Sequence, residues 1–132
     1  MFRIDPLSRQ PVYEQLIDQL ERFVLTGLLP PETQLPSVRS LSLELTINPN
    51  TIQKAYSDLD SRGIIYSVPG IGCFVSPQAV SLLQAHARGK LTDLRALAAE
   101  LALGGLSKDE LIACINDVYE ERGLNHDSSA TS

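Results

Sequence analysis

The chain has 132 residues, 43% of them apolar, and a formal net charge of −5. That is enough for one compact domain with a small appendage, and too apolar for a disordered chain. Residues 1–77 hold six Lys/Arg against eight Asp/Glu and residues 78–132 hold five against eight, so no broad basic field exists and any nucleic-acid binding must rest on locally placed groups.

The N-terminal MFRIDPLSRQPVYEQL carries Arg3 and Asp5 and no apolar run, so no secretory signal is expected. No stretch reaches the roughly 18 to 20 apolar residues of a membrane span, and a cytoplasmic location is expected. The first helix starts near Pro11, a residue suited to the first helical position because its missing N–H has no partner there. Val12, Leu16, Leu20, Phe23 and Val24 form its apolar stripe. Gly27 and Pro30-Pro31 end it, and GLLPPETQLPS reads as a loop.

Ser37 is a good N-cap for a short second helix with Val38, Leu41 and Leu45 inward. Thr46-Ile47-Asn48 is the only break before a third helix, which Asn48 caps, Pro49 opens and Gly63 closes. Two short helices joined by about three residues make a helix-turn-helix. In the third helix Ile52, Ala55, Tyr56 and Leu59 lie at i, i+3, i+4 and i+7, which leaves Asn50, Thr51, Gln53, Lys54 and Ser57 to the other face.

Ile64, Ile65 and Tyr66 read as a strand, Pro69-Gly70-Ile71-Gly72 as a tight turn, and Cys73-Phe74-Val75 as the return strand. Helix, helix-turn-helix and hairpin in that order make a winged helix. From Ser76 and Pro77 a long fourth helix is expected, with Val80, Leu83, Ala87, Leu91, Leu94, Ala98 and Leu101 along one side and Gly89 marking a bend or break. Gly104-Gly105 ends it. Ser107 and Glu110 form a capping box for a fifth helix with Leu111, Ile115, Val118 and Tyr119 inward. The expected organisation is a winged-helix domain over 1–76, a two-helix dimerisation region over 77–124 and a disordered tail over 125–132. The fold class is mainly α with one small β-hairpin.

Cys73 and Cys114 stand apart in apolar surroundings and, with His86 and His126, give no metal-ligand spacing. Two reduced, mostly buried thiols are expected, with no metal and no cofactor. The sequence shows no paired carboxylates at useful spacing, no Ser/His/Asp set and no phosphate loop, so an enzyme is not expected.

The ordered set LPS-x-R, N-x-N-T, A-Y-x-x-L, G-I-I and G-x-G-x-F-V within LPSVRSLSLELTINPNTIQKAYSDLDSRGIIYSVPGIGCFV resembles the DNA-binding domain of the GntR family of bacterial transcription regulators. The resemblance covers about the first 76 residues. The short C-terminal remainder, with G-x-S-K-D-E-L opening its last helix, is similar to a YtrA-like branch. That resemblance implies a tail that serves dimerisation and a regulator that controls neighbouring transporter genes.

On that footing the third helix enters a major groove. Asn50, Thr51 and Gln53 suit base edges, Asn and Gln pairing bidentately with adenine. Lys54 reaches a guanine or a phosphate, and the helix N-terminus led from Asn48 favours a phosphate oxygen. The resemblance adds Arg39 as a contact to phosphate or guanine. Ser37 either caps its helix or touches a phosphate, and Gly70 and Gly72 let the wing backbone approach the DNA. The wing departs from the family in having Val68-Pro69 where basic residues are common and Cys73 where Thr is common. Leu94, Leu97, Leu101, Leu111 and Ile115 are assigned to a dimer seam, an internal core being the alternative. The expected partners are a double-stranded, pseudo-palindromic DNA operator and a second copy of the chain, with a small effector left open. A winged-helix protein-interaction module that does not read DNA is the competing reading.

Overall fold

The structure, a computed structural model, describes residues 1–123, and the tail expected over 125–132 lies outside them. The chain divides into two compact units, Met1–Arg88 and the part from Gly89 onward.

In the first unit, α1 (Val12–Leu25) buries Leu16, Leu20 and Val24, as the periodicity requires. Pro11 stands at the N-cap rather than inside the helix, and its carbonyl accepts from the Glu14 and Gln15 N–H groups, both at 3.1 Å. The segment before it is strapped along α1. Phe2 is buried with its ring centroid 5.4 Å from that of Phe23. Gln19 accepts from the Arg3 N–H at 2.8 Å and donates to the Arg3 carbonyl. Gln15 accepts from the Asp5 N–H at 2.9 Å and donates to the carbonyls of Asp5 at 3.1 Å and Gln10 at 2.9 Å. Two side-chain amides one helical turn apart thus satisfy main-chain groups that a neighbouring strand would otherwise pair.

The helix-turn-helix is α2 (Val38–Leu45) followed by α3 (Pro49–Ser61). Beyond α3, Gly63 adopts φ 78° while its N–H reaches the Asp60 carbonyl and the Ile64 N–H reaches the Leu59 carbonyl, both at 3.0 Å. That bond pair requires a left-handed residue, which is why a glycine ends this helix. Strands β1 (Ile65–Val68) and β2 (Gly72–Val75) then pair antiparallel, Ile65 opposite Val75 and Val68 opposite Gly72.

The loop expected before α2 is partly sheet. Its Leu35 N–H donates to the Cys73 carbonyl at 2.8 Å, the Val75 N–H to the Thr33 carbonyl at 2.9 Å, and the Glu32 N–H to the Val75 carbonyl at 2.8 Å. Residues 32–35 therefore run along the free edge of β2 and remove it as a pairing site. Leu16, Leu41, Ile52, Leu59, Ile65 and Val75 are fully buried at the centre, each contributing about 1.5–3 kcal/mol of apolar burial.

The expected long fourth helix is two helices, α4 (Ala79–Gly89) and α5 (Leu91–Leu103). Gly89 is the last residue of α4 and Lys90 stands before α5, at the place where a glycine costs a helix ~1 kcal/mol relative to alanine. Ala79 and Leu83 bury α4 in the first unit. α4 thus belongs to the compact unit Met1–Arg88.

In the second unit α5 is followed by α6 (Lys108–Glu121), with the Ser107 hydroxyl capping α6 through the Glu110 N–H at 3.1 Å. Neither helix buries a single side chain. Cys114, expected to be buried, is exposed because it lies on α6, while Cys73 is half-buried on β2. No helix among the described residues is long and apolar enough to cross a membrane.

Candidate nucleic-acid interface

The turn between α2 and α3 is built from local bonds. Thr46 takes a left-handed conformation at φ 56°. The Ser42 hydroxyl donates to the Ile47 carbonyl at 2.6 Å, and the Ile47 N–H donates to the Ser42 carbonyl at 3.2 Å. Asn48 caps α3 by accepting the Asn50 N–H on its side-chain oxygen at 2.8 Å, with Pro49 as the first helical residue. Ser42 has no signature in the sequence, because a serine within a helix signals nothing until its partner is known.

Across α3, Ile52, Ala55, Tyr56 and Leu59 are buried and Asn50, Gln53 and Ser57 stand exposed in one row. Gln53 donates from its amide nitrogen to the Ser57 hydroxyl at 3.1 Å. One amide hydrogen and the carbonyl oxygen remain, the donor–acceptor pair that a bidentate adenine contact uses. Ser57 is thus a buttress for Gln53, a role that no local pattern in the sequence marks. Thr51 is half-buried at the flank of the row rather than standing in it.

Tyr56 anchors α3 from beneath. Its hydroxyl donates to the Pro36 carbonyl at 2.7 Å, just ahead of the α2 cap. Burial, with a smaller contribution from nearby Cys73, raises its pKa well above the ordinary phenol value. Ser37 is exposed and accepts the Ser40 N–H at 3.0 Å, which is the capping role. Arg39, in the first turn of α2, is exposed and has no ion-pair partner among the described residues.

Arg62 is withdrawn from this surface. It bonds Glu21 of α1 at 2.6 Å and Asp58 at 3.0 Å. Partial burial acts to lower its pKa, and the two carboxylates outweigh it, so the pKa is raised. Lys54 has no carboxylate within 4.0 Å among the described residues. Its ammonium lies 3.8 Å from the centre of the Tyr13 ring, on α1. Tyr13 lies outside the apolar stripe that the sequence shows for α1, so its contact with α3 was not legible there.

The wing tip is the turn Val68-Pro69-Gly70-Ile71, closed by the Ile71 N–H on the Val68 carbonyl at 3.0 Å, with Gly70 at φ 78°. Pro then Gly at φ > 0 is the type II pattern. Gly70 is open, whereas Gly72, at φ 142°, backs onto Gln34, whose amide nitrogen donates to the Ile71 carbonyl at 3.0 Å. Gly72 therefore has a packing reason on the protein side. No charged residue lies between Ile65 and Val75, and Ile71 is 63% exposed at the tip. On the outer sheet face Tyr66 stacks on Phe74 and donates to Glu32, a bond that raises the Tyr66 pKa.

In the second unit all five residues assigned to a seam, Leu94, Leu97, Leu101, Leu111 and Ile115, line one apolar cleft of about 470 Å³ between α5 and α6. Among the described residues no cluster of His, Cys, Asp and Glu could hold a metal ion.

A helix capped at its start, carrying amides and hydroxyls outward and set on a helix-turn-helix beside a hairpin, defines a winged-helix DNA-binding protein. Residues 12–75 match the family described as bacterial regulatory proteins, gntR family. The chain is 36% identical over 122 residues to the HTH-type transcriptional repressor YtrA of Bacillus subtilis (strain 168), covering 89% of this chain and 92% of that one. Its fold matches a GntR family transcriptional regulator from Listeria monocytogenes with a TM-score of 0.68 at 29% identity, over 83% of this chain and 96% of that chain. It also matches the DNA-binding domain of AraR in complex with operator ORX1, with a TM-score of 0.50 at 33% identity, over 58% of this chain and 93% of that one. The chain belongs to the GntR family and is a DNA-binding transcription regulator, not an enzyme.

Proposed function

We propose that the protein is a cytoplasmic, sequence-specific repressor that binds a pseudo-palindromic operator as a homodimer and controls transporter genes. The observation that carries the DNA reading is the exposed row Asn50, Gln53 and Ser57 on a helix whose N-terminus is capped and open. Asn50 and Gln53 read base edges, with Thr51 contributing from the flank. Asn48, Ser37 and Arg39 fix the register on the backbone, and Arg39 has the planar fork for a guanine as well. Gly70 and Gly72 bring the uncharged wing backbone to the groove edge. The AraR–operator complex and the repressor name of the Bacillus subtilis relative support this reading.

Dimerisation has separate support. Helices α5 and α6, of 13 and 14 residues, bury no side chain in the single chain, and helices of that length are marginal in water without packing. A second copy covering Leu94, Leu97, Leu101, Leu111 and Ile115 supplies that packing. Two copies then place two α3 helices on half-sites about 10 bp apart or a multiple of that.

Selection of bound fragments from the source genome tests the whole reading at once. The expected result is a two-fold-related site beside transporter genes, bound with a salt dependence that reports phosphate contacts. No retention on duplex DNA at low salt, with a defined protein partner instead, would replace it with the interaction-module reading.

A further inference from the structure

Lys54 stands in the molecule differently from the row beside it. On an ideal helix it lies about 40° from Asn50, on the side away from Gln53 and toward Thr51, and what distinguishes it is where its charge is held. Its ammonium is drawn to the α1 side, 3.8 Å over the ring of Tyr13. Asp58, the carboxylate one turn along, is already taken by Arg62 at 3.0 Å. The ring is therefore the partner that fixes where this charge sits.

Tyr13 is itself held. It is the second residue of α1, half-buried and packed against the core. The start of α1 is pinned by the Pro11 carbonyl and by Gln15, whose amide closes the Asp5–Gln10 segment. An aromatic face at that place attracts a cation by its quadrupole and leaves the outer side of the ammonium free to donate.

We propose that Tyr13 is a positioning residue for DNA binding, holding the Lys54 ammonium at the α1 flank of α3, where it meets a backbone phosphate rather than a base. The inference rests on α3 lying in the groove with Asn50 and Gln53 at base edges. A cation displaced sideways from that row meets the strand that borders the groove. The held ammonium also loses less side-chain freedom on binding than a free lysine does.

The test is binding of the full-length protein to its selected operator, measured as Kd against salt concentration. The variants are Tyr13→Phe, Tyr13→Leu, Lys54→Met and the Tyr13→Leu/Lys54→Met double. Tyr13→Leu should weaken binding about 2- to 5-fold per half-site, the range that an exposed cation–π contact corresponds to, with base preference unchanged. Tyr13→Phe, which keeps the aromatic face, should recover most of that loss. Lys54→Met should lower the salt slope by roughly 0.9 per half-site, the value for one phosphate. In the Lys54→Met background, Tyr13→Leu should add nothing further.

Three results overturn the proposal: Tyr13→Phe as weak as Tyr13→Leu, which makes the hydroxyl the contact; additive losses in the double variant; or a changed base preference in Lys54→Met. Circular dichroism melts of each variant separate lost folding from lost positioning, since a folding defect in Tyr13→Leu would persist without Lys54. Failure of the parent protein to bind duplex DNA overturns the groove reading itself, and is distinguishable because it needs no variant.

Discussion

Replacing Gly72 by alanine separates two roles that a glycine in the wing can have. A Cβ there would stand 2.7 Å from the Gln34 amide nitrogen, on a backbone at φ 142°. The positive φ alone strains an L-residue by about 1–2 kcal/mol. Gln34 can swing aside, but then loses its bond to the Ile71 carbonyl, about 0.5–1 kcal/mol for an exposed amide. Gly72→Ala should therefore destabilise the first unit by about 1.5–3 kcal/mol, and for a domain of this size each kcal/mol lowers Tm by about 4–8 °C. Urea unfolding of a double-mutant cycle with Gln34→Ala gives the partition. In the Gln34→Ala background the cost of Gly72→Ala should fall to the backbone strain, a coupling of about 0.5–1 kcal/mol. Equal cost in both backgrounds would refute the clash, and parent-like stability of Gly72→Ala would refute the strain as well.

Gln53→Ala or Asn50→Ala should relax specificity at particular bases by about 1–3 kcal/mol per lost bidentate contact; an unchanged preference in a randomised-site selection removes that residue from the readout. Arg39→Ala should weaken binding and reduce its salt slope, whereas a slope identical to the parent's would take Arg39 off the phosphate list. Leu97→Glu puts a charge on a side chain that is 50% exposed within the apolar cleft. Sedimentation should show a monomer at micromolar concentration, and a dimer there places the seam elsewhere. Because the folded Tyr56 pKa is raised, its contribution to stability is intact below the ordinary phenol value of ~10 and is lost as pH rises through the folded value. The absorbance difference between parent and Tyr56→Phe should show its phenolate step only with alkaline unfolding; a step near ~10 in folded protein would mean that the phenol is not buried.

The helix-turn-helix was legible because each of its signals is local. Ser37, Asn48 with Pro49, and Gly63 mark ends through bonds made within five residues, and the 3.6-residue period sets the buried face of α3. What the sequence hid is what depends on distant partners. Residues 32–35 carry loop composition yet pair with β2, since only the position of the hairpin reveals a free edge. Tyr13 and Gln15 fall outside the apolar stripe of α1, and their roles rest on Lys54 and on the N-terminal strap. Gly89 signals a bend or a break without deciding between them, because the apolar residues continue in phase on both sides of it; the structure has the break. Apolar neighbours suggest a buried Cys114, yet it is exposed on a helix that buries no side chain in the single chain.

The two glutamines on α1 have a consequence for how this chain can vary. Gln15 and Gln19 grip main-chain groups of Asp5, Gln10 and Arg3 and none of their side chains. The strap is therefore indifferent to what residue 3 is, and asks of residue 5 only the short carboxylate that receives the Leu7 N–H at 3.0 Å. The demand falls instead on the helix. Asparagine is one methylene too short to reach, and glutamate has lost the donor, so neither relative can replace a glutamine there. Sequence freedom and sequence constraint thus sit on opposite sides of the same hydrogen bonds.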